Sequence, residues 1–252
     1  MPFEAYVINL QGSDARLTAA TEALGAGGIA FQRLAAFDGR GKRPEDLPLY
    51  DPAKARAVFG RALTGGEVGC FLSHLEGARQ FLATHADYGL VLEDDLAVVD
   101  GARQVLDAVL QRLGTGAAVT PWHVMNVGQG ARGWFTGLGD MGRGHQLVRA
   151  HYFPVTTTAL LWNRVGAAAF LRDAGAVTMP VDHWLRIWAT EAGSGLALNP
   201  PIFPAMGAQS EIDAVGGRMA ERRGFRYLWT KQVRLWRVKR AAGRAKRAFE
   251  GR

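Results

Sequence analysis

Three adjacent carboxylates, Glu93, Asp94 and Asp95, form the most informative group of reactive residues in the sequence. They follow the apolar run Leu90-Val91-Leu92, whose length and polar boundaries predict a buried strand. Carboxylates at this spacing repel one another strongly unless a positive charge lies among them. A divalent Mg²⁺ or Mn²⁺ ion with oxygen ligands would supply that charge, usually together with a substrate phosphate. A solvated acidic turn, or an acidic cap for a following helix, is the alternative interpretation.

Strands that alternate with helices along the chain predict a layered α/β domain with a mainly parallel central sheet flanked by helices. Thr64 and Glu67 have the spacing of a capping box, which predicts that a helix begins there and leads into the acidic strand. Segments 39–60, 128–144 and 199–210 are predicted to be connections. Strands are predicted at residues 6–10, 29–31, 122–127 and 156–162, and helices near residues 17–24, 101–113, 163–173 and 180–192.

A literal G-x-G-x-x-G match at Gly137–Gly142 does not predict a dinucleotide site. It does not follow a convincing strand, and Arg143-Gly144 continues the loop where the motif requires a helix to open. We therefore interpret the segment as a Gly-rich loop.

Composition and charge narrow the class of protein. The single cysteine, Cys70, excludes an internal disulfide and a Cys-based zinc cluster, and it is predicted to be a small buried residue. Neither a secretory signal nor an apolar run of about 20 residues is visible, so we expect a cytoplasmic protein. Residues 218–252 contain 13 Lys and Arg and two Glu, a net charge of +11, whereas residues 1–217 carry −4. These two ranges are predicted to be separate units, a catalytic domain and a basic tail.

Taken together, several segments resemble glycosyltransferase family 25, which builds bacterial lipopolysaccharide and lipooligosaccharide and has relatives that galactosylate collagen. The segments are Tyr6-Val7-Ile8-Asn9-Leu10, Gly66-Glu67-Val68-Gly69-Cys70-Phe71-Leu72-Ser73-His74, Leu92-Glu93-Asp94-Asp95, Pro180-Val181-Asp182 and, more weakly, Pro201 through Ile212. The resemblance covers about residues 3–213 and implies a GT-A-like fold, a UDP-sugar donor and inversion at the anomeric carbon. The opening loop departs from the family pattern, since Gln11 and Gly12 stand where an acid and an arginine are usual.

Within the resemblance, the acidic cluster looks like the motif that clamps the donor diphosphate through a metal ion. Extended strand geometry would direct Glu93 and Asp95 to one face and Asp94 to the other. Asp95 is then the first candidate metal ligand, Glu93 a second ligand or a ribose contact, and Asp94 a supporting donor-site residue. Asp182 is the candidate general base for the acceptor hydroxyl, although its position before His183 also suits a helix N-cap.

Four further residues are predicted to bind the donor. Asn9 and Arg16 lie at and just after the end of the first strand, where nucleotides bind in α/β sheets, and Arg16 suits phosphate or base recognition. Ser73 and His74 look like donor-site residues by resemblance, and a structural histidine is the alternative for His74. Gln209 and Ser210 are predicted to form a loop over the acceptor or the phosphate.

The basic tail has the pattern of an amphipathic helix. Its apolar positions are Phe225, Leu228, Trp229, Val233 and Trp236, with Lys and Arg between them. Interfacial aromatics beside cations are typical of a helix that lies on an anionic membrane surface, so we expect a peripheral protein on the inner membrane face. A solvated helix and a helix packed on the acidic body are the alternatives, and no nucleic-acid partner is expected.

The sequence therefore predicts a metal-assisted inverting glycosyltransferase. It would move a hexose, with galactose the first choice, from a UDP-sugar to a lipopolysaccharide or another glycolipid or oligosaccharide acceptor. A metal-dependent nucleotidyltransferase remains as an alternative, although the chain lacks a P-loop. A non-catalytic module that binds nucleotide-sugars or membranes is the third possibility.

Overall fold

The computed structural model describes residues 2–115, 121–207 and 225–251. The strands are β1 Phe3–Asn9, β2 Gln32–Ala35, β3 Tyr88–Glu93, β4 Val124–Asn126, β5 Phe135–Asp140, β6 Gln146–Ala150, β7 Ala159–Asn163 and β8 Gly195–Asn199. The helices are α1 Asp14–Ala26, α2 Pro52–Val58, α3 Gly65–Leu82, α4 Ala102–Gly114, α5 Arg164–Asp173, α6 Val181–Ala192 and α7 Phe225–Glu250. The strands form one sheet in the order β2-β1-β3-β7-β4-β8-β6-β5.

The sheet is mixed, so the prediction of a mainly parallel sheet is wrong. Pairs β1–β2, β1–β3 and β4–β8 are parallel, whereas β3–β7, β4–β7, β5–β6 and β6–β8 are antiparallel. The antiparallel pairs arise partly from a hairpin, β5–β6, that closes within a short turn. The literal glycine motif lies at this hairpin and not in a loop, and a register shift between Gly137 and Gly139 marks a bulge.

The run Leu90-Val91-Leu92 is buried on both faces of the sheet, as its continuous apolar character predicts. Val91 packs into the core on the α3 side, with Phe71, Leu75 and Phe81, which share one helix face. Leu90 and Leu92 face the opposite core, which α1 and α4 cover. Helices on both faces therefore fix the strand rigidly up to its acidic end.

Helix α3 begins with the predicted capping box. The Thr64 hydroxyl accepts from the Glu67 backbone N–H at 3.2 Å, and the Glu67 carboxylate accepts from the Thr64 N–H at 2.9 Å. Further along, Gly69 and Gly65 allow the backbone of residues 37–39 to approach, because a Cβ at Gly69 would collide with the Phe37 carbonyl oxygen. The helix start and this close approach together fix the wall of the cleft described below.

Segment 39–60 is more than the surface connection that its composition predicted. It contains a 3₁₀ turn at Pro44–Asp46 and helix α2, and it buries Tyr50 and Phe59. The Tyr50 hydroxyl accepts a hydrogen bond from the Leu63 N–H at 2.8 Å, which ties the segment to the start of α3.

Helix α7 confirms the predicted helix in the basic tail and packs on the body along one face. Val238 and Ala242 are buried, and Arg237 forms an ion pair with Glu191 of α6 at 2.8 Å. The predicted boundary at residues 217 and 218 lies outside the described residues. None of the helices in the described ranges combines the length and hydrophobicity that crossing a bilayer requires.

Candidate active site

The acidic cluster lies at the carboxyl end of β3, and the chain turns immediately after Glu93. This turn overrules the predicted strand geometry, since Asp94 and Asp95 do not diverge to opposite faces. Both instead approach Arg16, whose guanidinium lies 2.7 Å from Asp94 Oδ1 and 3.5 Å from Asp95 Oδ2. Asn9 at the end of β1 donates to Asp94 Oδ2 at 2.7 Å and to the Ser13 carbonyl at 3.0 Å. Buried Asn9 therefore orients Asp94, and Arg16 neutralises part of the cluster.

Glu93 is held from the other side of the strand end. Its Oε1 accepts from Thr157 at 2.6 Å and lies 3.2 Å from His74 Nε2 and 3.9 Å from Cys70 Sγ. Burial raises the pKa of Glu93, but the hydrogen bonds from His74 and Thr157 outweigh it, so the pKa lies below its usual value. Glu93 is therefore an ionised and well-oriented carboxylate. Thr157 had no distinguishing signal in the sequence.

Asp95 differs from its neighbours because one of its oxygens is unsatisfied. Oδ1 is buried and has no hydrogen-bond partner among the described residues. Burial, together with the charges of Glu93 and Asp94, raises the pKa of Asp95 against the opposing charge of Arg16. A buried carboxylate oxygen without a partner costs free energy unless something positive reaches it.

This orphaned oxygen fits a divalent cation with oxygen ligands, as Mg²⁺ and Mn²⁺ prefer. Asp95 and Glu93 are the residues that would hold such an ion. Cys70, His74 and Glu93 form a second group whose ligand atoms lie within 4.8 Å of one another. Burial and the charges of Glu93 and Asp182 raise the pKa of the Cys70 thiol well above its usual value. Since metals bind the thiolate, the second group is the poorer site.

An open cleft of about 650 Å³ lies in front of the acidic cluster. Its lining includes the predicted residues Arg16, Ser73, His74, Glu93, Asp94 and Asp95. Ser73 is buried and holds the opposite wall, since its hydroxyl accepts from the Phe37 N–H and donates to the Gly69 carbonyl, both at 2.8 Å. Asn9 stands behind the lining and acts through Asp94.

The same cleft is lined by residues that the sequence interpretation missed. Asp38 and Arg40 form a bidentate pair, with Arg40 Nε 3.0 Å from Oδ1 and Nη2 2.9 Å from Oδ2. Hydrogen bonding to Arg40 holds the pKa of Asp38 below its usual range. These residues follow β2 and reach the cleft only because Gly39 packs against α3, which no local pattern predicts.

Asp182 is the second residue of α6, and the helix cap is Pro180, so the predicted N-cap position is wrong by two residues. Its Oδ1 accepts from the His183 N–H at 2.7 Å. Burial, with the nearby charges of Glu93 and Glu67, raises its pKa to about 6 despite that hydrogen bond. Asp182 is not among the residues that line the cleft, but its charge and that of Glu93 both act on Cys70.

Gln209 and Ser210 lie outside the described residues. The described chain leading to them runs past the acidic cluster, where Met206 N–H donates to the Asp95 carbonyl at 2.8 Å and Leu96 bridges Ala205.

Comparison with known proteins shows what the first half of the chain is similar to. Residues 3–121 match the sequence profile of glycosyltransferase family 25 (LPS biosynthesis protein). A glycosyltransferase 25 family member of Anopheles gambiae is 33% identical over 97 residues, covering 36% of this chain and 16% of that protein. Procollagen galactosyltransferase 1 of Danio rerio is 27% identical over 189 residues, covering 73% of this chain and 31% of that protein.

The chain thus spans less than a third of the length of these two relatives. Among solved structures, a glycosyltransferase involved in glycosylation of the major capsid of PBCV-1 aligns with a TM-score of 0.41 and 8% identity, covering 92% of this chain and 100% of that one. The family match includes both the α3 segment and the acidic cluster, which carried the resemblance in the sequence. Through residues 3–121, slightly less than half of its length, the chain is similar to glycosyltransferase family 25.

Proposed function

We propose that this chain is an inverting glycosyltransferase that moves a hexose from a UDP-sugar to lipopolysaccharide or another surface glycan. Galactose is the first candidate for the hexose. The observation that carries the proposal is the unpartnered buried oxygen of Asp95 in a cleft that also presents Glu93, Asp94 and Arg16. The family description and the galactosyltransferase relative support the donor and acceptor classes. The parallel strands β2-β1-β3, with the cluster at their carboxyl edge, support a GT-A-like donor site.

In this proposal the donor diphosphate lies in the cleft near Arg16 and Arg40, whose positive charges would attract the phosphate oxygens. A bound Mn²⁺ or Mg²⁺ ion, held by Asp95 and Glu93, would neutralise the charge that develops on the departing UDP. Asn9 and Arg16 keep Asp94 in place, and His74 and Thr157 keep Glu93 ionised and oriented. The phenyl ring of Phe37 and the side chains of Ile8 and Leu10 give the cleft an apolar wall.

Asp182 takes the proton from the acceptor hydroxyl. With a pKa of about 6 it is mostly ionised at neutral pH and remains basic enough to accept a proton. A base that acts from the side opposite the departing diphosphate gives a single displacement with inversion. Gln209 and Ser210, which follow the segment bonded to Asp95, would then cover the acceptor or the phosphate.

The basic tail, residues 218–252, would hold the enzyme on the cytoplasmic face of the inner membrane. Leu228, Trp229, Val233 and Trp236 are exposed on α7, and the last three lie opposite the docked face that carries Val238 and Ala242. The guanidinium of Arg240 lies 5.2 Å from the Trp236 ring, so cations border the apolar patch. An exposed apolar stripe bordered by cations suits an anionic bilayer surface.

The function is tested by measuring UDP release from UDP-galactose, with and without a lipopolysaccharide extract, in the presence of Mn²⁺. We expect acceptor-dependent UDP release that is lost in Asp182→Asn and kept in the exposed control Asp46→Asn. Release of pyrophosphate from nucleoside triphosphates would instead support a nucleotidyltransferase. Binding of UDP-sugars with no turnover on any acceptor would support a non-catalytic module.

A further inference from the structure

Two arginines and a histidine surround the Phe59 ring, and the histidine follows the candidate base Asp182 in the chain. The guanidinium carbons of Arg61 and Arg234 lie 4.8 and 4.6 Å from the ring centroid, and the His183 ring lies 5.3 Å from it. Arg186 of α6 acts electrostatically on His183 from the same neighbourhood. We call Arg61, His183 and Arg234, which contact the Phe59 ring, together with Arg186, whose charge acts on His183, the Phe59 cage.

Only part of this positive charge is neutralised. Arg61 forms a two-point ion pair with Glu67, at 2.5 and 2.8 Å. Arg234 donates to the carbonyls of Val58 and Phe59 at 3.4 Å, and neither it nor Arg186 has a carboxylate within ion-pairing distance in the described part of the chain.

Arg186, like Arg234, forms its hydrogen bonds with neutral groups. Its Nε donates to the Phe153 carbonyl at 2.9 Å, its Nη1 lies 3.3 Å from the Tyr152 hydroxyl, and its guanidinium stacks 4.6 Å from the Tyr152 ring. Burial lowers the pKa of both Arg186 and Arg234, and burial with the three arginines lowers that of His183 to about 4. Two partly buried guanidinium groups are thus oriented by carbonyls while their charge is left for a ligand.

The cage adjoins the acceptor side of the proposed reaction. His183 follows Asp182 in α6, and Asp182 is itself influenced by the charges of Glu67 and Arg186. The cleft that would hold the donor is lined by other residues, including Arg16 and Arg40. An anion in the cage would therefore lie next to the base and not in the donor position.

We propose that the Phe59 cage binds an oxyanion carried by the acceptor, a phosphoryl or carboxylate group, and so selects acidic glycans. The identity of the carrier rests on the proposed function, whereas oxyanion binding does not. Arg234 belongs to α7, so the basic tail would complete the acceptor site in addition to any role at a membrane. Guanidinium forks match the geometry of such groups, and the aromatic ring supports them by cation–π contact.

The experiment follows the histidine ring resonances by NMR during titration with inorganic phosphate, with chloride keeping the ionic strength constant. We expect a saturable shift of His183 and a rise in its pKa, because a bound oxyanion stabilises the imidazolium form. Exposed His85 should stay unchanged, and His74 reports separately on phosphate in the donor cleft. Absence of a saturable His183 shift would overturn the proposal, whether or not the chain turns over UDP-sugars.

Amino-acid substitutions test whether phosphate binds at the Phe59 cage. Arg234→Gln should weaken phosphate binding at His183 by about tenfold, the effect of losing one charge-assisted hydrogen-bonding group. Arg234→Lys should lose less, and Lys239→Gln, an exposed charge on the same helix, should bind as the wild type does. Equal affinity in all four proteins would contradict the assignment, and circular dichroism shows that α7 stays folded in each.

Two further ligands distinguish an oxyanion carried by a sugar acceptor from one carried by a lipid headgroup. Galactose 6-phosphate should shift His183 at lower concentration than inorganic phosphate does, as expected for a group carried by a sugar acceptor. A His183 shift that appears only with phosphatidylglycerol vesicles would overturn the acceptor assignment in favour of a lipid headgroup.

Discussion

In the proposed reaction single carboxylates carry the chemistry, and their different environments suit them to different roles. Glu93 is ionised and oriented by His74 and Thr157, Asp94 is neutralised by Arg16, and Asp95 keeps an unpartnered oxygen. Adjacent residues in one sequence motif therefore do not contribute equally. In the proposed reaction, Asp182, with its raised pKa, is the titratable group whose ionisation controls the rate.

Replacement of Asp182 by Asn should raise the stability of the protein although it abolishes activity. Its folded-state pKa of about 6 lies above the usual 3.8, so ionisation at neutral pH opposes folding and the penalty fades as pH falls from 6 towards 4. Asp182→Asn should therefore raise the free energy of unfolding at pH 7.5 by about 2 kcal/mol and lose that advantage near pH 4. Chemical denaturation at both pH values measures this difference. A destabilised variant at pH 7.5 would contradict the assigned environment.

The pH dependence of turnover provides an independent check on the same residue. The wild-type rate should rise through pH 6 and level off above it, because the ionised carboxylate is the form that accepts the proton. A rate that stays constant from pH 5 to pH 8 would exclude Asp182 as the base.

At the scale of elements, α3 and β3 line the cleft together with residues 36–40, and the contact of α3 with that segment depends on glycine. Gly69→Ala would force its Cβ into the Phe37 carbonyl and displace residues 36–40, which line the cleft. We expect a loss of about 1–3 kcal/mol in stability and weaker UDP binding, measured by denaturation and calorimetry.

Gly25→Ala in α1 is the matched control for that substitution. No atom lies within 4 Å of the Cβ that it would add, so it should stabilise the protein by up to about 1 kcal/mol and leave UDP binding unchanged. Equal behaviour of the two variants would show that close approach at Gly69 does not shape the cleft.

Local patterns explain which elements the sequence could predict. The Thr64 capping box and the apolar run before Glu93 are complete within a few residues, so their structures follow from the sequence alone. The β5–β6 hairpin could not be predicted in this way, because its glycines are typical of a loop and its strands depend on non-local pairing of β6 with β8. Asp38 and Arg40 were missed for a similar reason, since only the tertiary contact between Gly39 and α3 brings them to the cleft.

At the scale of the whole molecule, α7 contributes to two surfaces, one at the Phe59 cage and one exposed on its opposite face. Its docked face brings Arg234 to Phe59 beside the candidate base, and its opposite face exposes Trp229, Val233 and Trp236. If both proposals hold, a membrane-bound acceptor would meet the anchoring helix and the transfer site in the same region.

The membrane role of α7 predicts selective vesicle binding. The wild-type protein should sediment with phosphatidylglycerol vesicles and not with neutral phosphatidylcholine vesicles, and salt should weaken the binding because each Lys or Arg contributes about 1 kcal/mol. The double variant Trp229→Ser, Trp236→Ser should lose binding, whereas Val165→Ser, at an exposed apolar position on α5, should retain it. Undiminished binding of the double variant would exclude the exposed face of α7 as the membrane contact.

The most direct test of the donor site is thermal unfolding with saturating UDP, with Mn²⁺ or with EDTA, in wild type, Asp95→Asn and the exposed control Asp107→Asn. We expect a Mn²⁺-dependent rise in Tm of several degrees in wild type and in Asp107→Asn, the size of effect that a ligand at about 100 times its Kd gives. The rise should vanish in Asp95→Asn, which should melt higher than wild type when no ligand is present because it lacks the buried charge. A UDP shift of the same size in EDTA, or one that survives in Asp95→Asn, would contradict a cation-assisted donor site at Asp95.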